Sequence, residues 1–200
     1  KTSCFSYYNL NIKTPITKNI HQKVYEYLNE SVKKRVDNTE RPVGCLLSGG
    51  LDSSIIASLV KKNLKHNQKL KTFSIGLENS VDIHFSRIMA KYLDSDHSEF
   101  IVTEEEMLSC IPEVIKTIES YDTTTVRASV GNWLVGKKIK ETSDCKVIFN
   151  GDGADEVAGG YLYFREAPTN EEFDLECKRL LSHIHYFDVL RSDRCVSCHG

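Results

Sequence analysis

Apolar residues recur at every fourth position from Ile20 through Val24, Leu28 and Val32 to Val36, so the spacing predicts a helix over residues 17–36 that buries one face. Val43 to Leu47 is a short apolar run, entered through Arg41-Pro42 and left through Ser48-Gly49-Gly50, which is the pattern of a buried parallel strand and its exit turn. A helix is expected next over 53–65, with Ile55, Ile56, Leu59 and Val60 turned toward the sheet. The alternation then repeats: 71–77 and 98–102 read as strands, 80–93 as the helix between them, and 146–149 as a fourth strand. Thr103 should cap a helix that opens on Glu104-Glu105-Glu106, acids suited to a helix N-terminus. Further helices are expected over 127–140 and 170–191, with a polar, glycine-bearing loop after Gly151. Strands alternating with helices over short connections predict an α/β fold, a parallel sheet with helices on both faces.

Composition narrows the class. With 26 Lys+Arg against 28 Asp+Glu, no basic excess exists to neutralise a nucleic-acid backbone. The 40% hydrophobic and 27% charged residues are ordinary globular usage. No run approaches the roughly eighteen apolar residues of a membrane span, and the first residues lack an apolar signal-like stretch. Seven cysteines, an odd number scattered through the predicted elements, suit reduced thiols and a cytoplasmic location. Asn29-Glu30-Ser31 matches the glycosylation pattern but falls inside a predicted helix and reads as accidental.

The sharpest local feature is Ser48-Gly49-Gly50-Leu51-Asp52-Ser53-Ser54, set between the first strand and a helix. Its glycines let the backbone approach an anion, while serine hydroxyls, free N–H groups and the helix dipole all favour negative charge. Phosphate or pyrophosphate suits that composition. No lysine lies between Arg41 and Lys61, which excludes the lysine-bearing Walker loop. Asp52 would repel a phosphate unless a cation stood between them, and magnesium, which takes a carboxylate or two with phosphate oxygens and waters, meets that need. A serine-rich helix cap is the plain alternative.

The stretch Phe149 to Tyr161 reads FNGDGADEVAGGY. Gly151 and Gly153 suggest the dinucleotide fingerprint, but Glu156 stands where its third glycine would be. Asp152, Asp155 and Glu156 would oppose a bare pyrophosphate, so a metal-binding or proton-handling role fits them better. Both loops leave the C-terminal ends of parallel strands, so Asp52 and Asp155 are expected to face one crevice and share a magnesium ion.

SGGLDSS after a hydrophobic strand resembles the pyrophosphate-binding loop of the ATP pyrophosphatase superfamily, with its adenine nucleotide α-hydrolase-like fold. Together with FSIGL (Phe73 to Leu77), ESYDTTTVRAS (Glu119 to Ser129) and GGYLYFREAP (Gly159 to Pro168), residues 35–200 resemble the synthetase domain of glutamine-dependent asparagine synthetases. The resemblance implies that Ser48, Gly49, Gly50, Asp52 and Ser53 hold pyrophosphate and Mg2+, with Asp155 the second metal ligand. It implies that backbone groups at Leu46, Ile75 and Gly151 frame the adenine and ribose of AMP. Thr124, Thr125 and Arg127 would serve substrate binding and the adenylated intermediate, Asp188 would lie near the substrate amine, and Asp152 would manage protons when ammonia attacks. A bond from Arg127 to Asp122 at a helix start is the plain reading of that arginine.

The implied reaction is ATP-dependent amidation of aspartate to asparagine through β-aspartyl-AMP, with ammonia drawn from glutamine by a glutaminase domain not represented here. Its partners would be small molecules, not nucleic acid or membrane, with a homodimer of the longer protein left open. Residues 1–16 would be a linker from that domain and 17–200 the first part of the synthetase domain, without the family's RVPFLD-like segment or its later lysine. Family members read SGEG or SGDG where this chain has Asn150-Gly151-Asp152-Gly153. A catalytically impaired nucleotide-binding relative and a β-lactam-forming synthetase are the competing readings. Cys195-Val196-Ser197-Cys198-His199 matches a haem-attachment or half-zinc pattern but reads as plain cysteines in a helix-to-loop segment, and His97 beside Glu99 reads as a surface polar cluster before a strand.

Overall fold

The computed structural model describes residues 18–65 and 67–199. The expected linker, residues 1–16, and Cys4 within it lie outside the described residues. Helix α1 (Ile20–Asp37) leads into β1 (Val43–Leu46), α2 (Leu51–Asn63), β2 (Lys71–Gly76), α3 (Val81–Tyr92) and β3 (Asp96–Ile101). Three helices, α4 (Glu104–Ser109), α5 (Ile111–Ile118) and α6 (Thr123–Thr142), carry the chain to β4 (Val147–Phe149). Beyond it come α7 (Ala154–Ala158), a 3-10 turn (Leu162–Glu166), α8 (Asn170–Ile184), a π-helix (His185–Arg194) and α9 (Cys195–Ser197).

The four strands pair in parallel in the order β3-β2-β1-β4. Successive side chains of a strand point to opposite faces, and here each face meets helices. Val43, Cys45, Leu47, Val147 and Phe149 join Val32 and Val36 of α1, Ala57, Leu59 and Val60 of α2 and Ala90 of α3 in one core. On the other face Leu46, Phe73 and Ile148 pack with Val135 and Ile139 of α6, and α5 closes over α6 through Val114 and Ile118. Burial of each large aliphatic side chain contributes about 1.5–3 kcal/mol, and here it clamps the sheet from both sides. The α/β architecture follows the sequence pattern.

Several boundaries moved for identifiable reasons. The helix expected from 53 begins at Leu51 because Gly50 already serves as its N-cap, and Ile55 is 38% exposed because Ala57, Leu59 and Val60 form the buried face instead. Only the second half of the α1 stripe is covered: Ile20 is 49% and Val24 58% exposed, whereas Val32 and Val36 are buried. Helix α6 starts at Thr123, four residues before the predicted 127, because the Asp122 carboxylate accepts from the Thr125 N–H at 2.8 Å and caps it. Thr103 caps α4 in a full capping box with Glu106. The polar stretch after Gly151 contains α7 and the 3-10 turn, and the helix expected over 170–191 changes at His185 from α to π winding. Among the described residues no helix is long and apolar enough to cross a membrane.

Candidate functional site

With β1 between β2 and β4, the chain steps outward from β1 to β3 and then returns to add β4 on the other side of β1. Such a reversal opens a crevice beyond the C-terminal ends of the two strands. The loops that leave them, Ser48 to Gly50 and Asn150 to Gly153, border a cleft of about 490 Å³.

The first loop is shaped by its glycines and held by its serines. Gly49 has φ +82°, and a Cβ there would lie 2.4 Å from the Phe85 carbonyl carbon, so α3 passes too close for any side chain. Gly50 is the N-cap of α2 and provides no side-chain cap to its leading N–H groups. The Ser48 and Ser53 hydroxyls meet at 3.0 Å, and Ser53 Oγ also donates to the Gly50 carbonyl at 3.2 Å. The result is a preformed turn with hydroxyls and the start of a 13-residue helix at the cleft, a setting that favours phosphate oxygens.

Gly151 locks the second loop against the first. A Cβ at that position would lie 2.7 Å from the Ser53 nitrogen and 2.8 Å from the Asp52 carbonyl carbon, so the two backbones touch where only glycine fits. Asp52, Asp152 and Asp155 consequently line the same cleft. Burial pushes the Asp155 carboxyl above the usual aspartate range, and the Asp52 and then the Glu156 charge push it further. Glu156 is buried at 3% exposure and accepts from the Tyr161 hydroxyl.

The π-helix brings a further carboxylate to the cleft. Asp188 Oδ1 pairs with Arg191 Nη2 at 2.9 Å, and its Oδ2 is buried with no hydrogen-bond partner among the described residues. Burial, then the Glu156 charge, push its carboxyl up to about 6, while the Arg191 guanidinium opposes the shift. Since the unfolded carboxyl titrates near 4, the folded chain holds a proton between those values that the unfolded chain has released, and stability falls as pH rises through that window. The melting temperature of wild type minus that of Asp188→Asn should therefore decline from about pH 4 to about pH 7, with the steepest change near pH 5, midway between the unfolded and folded values. A pH-independent difference would remove Asp188 as the source.

Of the expected site residues, Leu46, Ser48, Gly50, Asp52 and Ser53 line the cleft, as do Ile75, Gly151, Asp152, Asp155 and Asp188. Gly49 shapes the turn from behind. Thr124, Thr125 and Arg127 stand outside the lining: Thr125 is buried against Asp122 as part of the cap, while Thr124 and Arg127 are exposed. Asp122 takes the N–H and hydroxyl of Thr125, where the plain reading had paired it with Arg127. Helix α6 faces the cleft one turn later, through Ala128, Gly131, Asn132 and Val135. Asn132, Tyr161 and Arg191 also line it and were not singled out from the sequence. The only local signal for Arg191 was its place three residues after Asp188, the spacing of a helical ion pair.

The remaining motifs resolve as structure. His97 lies inside β3, not before it, with its ring nitrogens 2.9 Å from Thr72 Oγ1 and 3.2 Å from Ser74 Oγ. Burial lowers its pKa. His199 Nε2 meets the Trp133 carbonyl at 3.0 Å, Cys195 is fully buried, and the six described cysteines are free thiols. Among the described residues no group of three or more His, Cys, Asp or Glu is placed to hold a metal ion by itself.

Comparison with known proteins adds to this geometry. A family model described as "Asparagine synthase" matches residues 23–194. The chain is 47% identical over 175 residues to asparagine synthetase [glutamine-hydrolyzing] of Rattus norvegicus, covering 86% of this chain and 31% of that protein. The Homo sapiens protein of the same description matches equally, at 47% over 175 residues. The chain thus spans 31% of the length of the curated relatives it matches. Among solved structures it is similar to an NH3-dependent NAD synthetase from Campylobacter jejuni, at TM-score 0.46 and 20% identity over 84% of this chain and 76% of that one. It is also similar to an NMN synthetase from Francisella tularensis, at TM-score 0.47 and 13% identity over 80% and 70%.

Proposed function

The chain belongs to the asparagine synthase family, and from that membership we propose that it is the nucleotide-binding part of an enzyme that amidates aspartate at the expense of ATP. The aspartate side-chain carboxylate attacks the α-phosphorus of ATP, the bond to the β-phosphate oxygen breaks, and β-aspartyl-AMP and pyrophosphate result. Ammonia then attacks the acyl carbon, loses a proton, and displaces AMP. The observation that carries this reading is the junction of the two glycine-bearing loops at Gly151, which brings the Ser48 to Ser53 turn and the carboxylates of Asp52, Asp152 and Asp155 into one cleft.

The Ser48 to Ser53 loop and the start of α2 hold the polyphosphate. Leu46, Ile75 and Gly151 line the part of the cleft that takes the nucleoside. Asp152 takes up the proton as the amide forms, and Asp188, ion-paired to Arg191, receives the aspartate amine. The carboxylates also fit a magnesium ion: Asp155 and Asp52 line one cleft, burial and then the Asp52 charge raise the Asp155 pKa, and Mg2+ needs only a carboxylate or two from protein. Bound there, it would neutralise phosphate charge and make pyrophosphate a better leaving group. The chain's own contribution is positioning and charge placement, with no covalent enzyme nucleophile. The glutaminase unit, the linker and the remainder of the synthetase domain belong to the longer enzyme, which acts in the cytoplasm.

The full-length protein, given ATP, aspartate and ammonia, is expected to form AMP, pyrophosphate and asparagine in equal amounts. Release of ADP, or AMP formation that does not require aspartate, would overturn the reading. Asn150 and Asp152 favour the competing reading of an impaired nucleotide-binding relative, for which ATP would bind without turnover, whereas retention of Asp52 and Asp155 favours activity.

A further inference from the structure

Asp152 stands at a boundary. Beside the main cleft lies a second hollow of about 430 Å³, and the two share Leu46, Asn150, Asp152 and Asp188. Asp152 is itself exposed, on a loop with no strand or helix of its own to fix its rotamer. Two donors nevertheless converge on a single oxygen. Asn150 Nδ2 donates to Asp152 Oδ2 at 3.1 Å from the end of β4, and the Ser192 hydroxyl donates to the same Oδ2 from the π-helix. Ser192 lines only the second hollow. A carboxylate with both donors on Oδ2 keeps Oδ1 for a reactant.

We infer that Asn150 and Ser192 are positioning residues that tether Oδ2 of Asp152, so that its other oxygen meets the incoming amine at the junction of the two hollows. The inference rests on the amidation reading and goes beyond it by naming what aims the proton acceptor. An aspartate carboxylate on an exposed loop samples several rotamers, and each misdirected one is lost to catalysis. Displacement of a reacting group by about 1 Å costs on the order of a hundredfold in rate, so a tether made by two short side chains from separate elements has a kinetic effect. Ser192 follows Asp188 by four residues, about one helical turn, so both meet the Asp152 loop from one side. The tether also joins the loop to the segment that carries the amine-binding carboxylate.

The test separates the half-reactions in the full-length protein. Asn150→Ala and Ser192→Ala should each lower ammonia-dependent asparagine formation by about tenfold or more, while aspartate-dependent exchange of labelled pyrophosphate into ATP stays within about twofold. Ser192→Thr, which keeps the hydroxyl, should keep the rate. In an Asp152→Asn background neither alanine substitution should cost anything further, since a residue acting only through Asp152 has no effect once the carboxylate is gone. Equal loss in both half-reactions, or full additivity with Asp152→Asn, would overturn the tether and leave a purely structural role. Absence of exchange in the wild type would instead overturn the adenylation reading on which the inference stands.

Discussion

Asp52→Asn is expected to lower aspartate-dependent AMP formation by about a hundredfold or more, with the melting temperature of the protein shifted by no more than about 4 °C. The asymmetry follows from where the residue sits. Asp52 lies in the first turn of α2, half-buried, beside a loop whose hydroxyls and N–H groups attract phosphate. For folding, its charge contributes only a helix-terminus interaction of about 0.3–1 kcal/mol. In the cleft the same charge faces Asp155, and on the proposed function the pair would let a cation bridge carboxylates and polyphosphate. An amide in that place keeps the shape and removes the charge. Turnover close to wild type, measured as AMP released, would take Asp52 out of the site.

Gly49→Ala is expected to destabilise the fold by about 3 kcal/mol, a fall of roughly 6–12 °C in melting temperature for a chain of this size. Two costs add. An L-residue at φ +82° loses about 1–2 kcal/mol. The new methyl would also overlap the α3 backbone at the Phe85 carbon and the Ser86 nitrogen, 2.4 and 2.6 Å away, and relief of such overpacking costs about 1–3 kcal/mol. Gly50→Ala is the informative contrast. Gly50 has an ordinary φ of −68°, and its Cβ would meet only the Ser48 hydroxyl, at 3.3 Å. That substitution should leave stability nearly unchanged and act on nucleotide binding instead, by standing where a phosphate approaches the backbone. Calorimetric scans of both variants, without and with ATP, test whether Gly49 folds the turn while Gly50 acts on nucleotide binding.

The residues that were legible in sequence share one property: their signal is local. Paired glycines, a capping threonine followed three residues later by Glu106, and apolar residues at spacings of two or four each record the conformation of a few adjacent residues. Residues that act across the fold left no such trace. The stretch at Thr124, Thr125 and Arg127 is conspicuous in the sequence, yet the capping of α6 by Asp122 turns Thr125 inward and leaves Arg127 exposed, so the helix meets the cleft one turn later at Ala128 and Asn132. Arg191 and Tyr161 have partners close by in the chain, Asp188 three residues and Glu156 five residues before them, but that spacing does not show that the pairs face the cleft, which depends on how the π-helix and α7 pack against the sheet.

The sequence by itself determined the alternation of strand and helix, the parallel two-faced sheet, the glycine-serine turn from Ser48 to Ser54 and the family to which the chain belongs. Tertiary structure decided which charges meet. Parallel pairing of β1 with β4 set Gly151 against Asp52 across about a hundred residues of chain, and packing of the π-helix beside the cleft brought Asp188 and Ser192 to Asp152. Local periodicity fixes how a segment winds and which face it buries, whereas contacts between distant side chains depend on strand order and helix phase, and those are set only when the whole sheet packs.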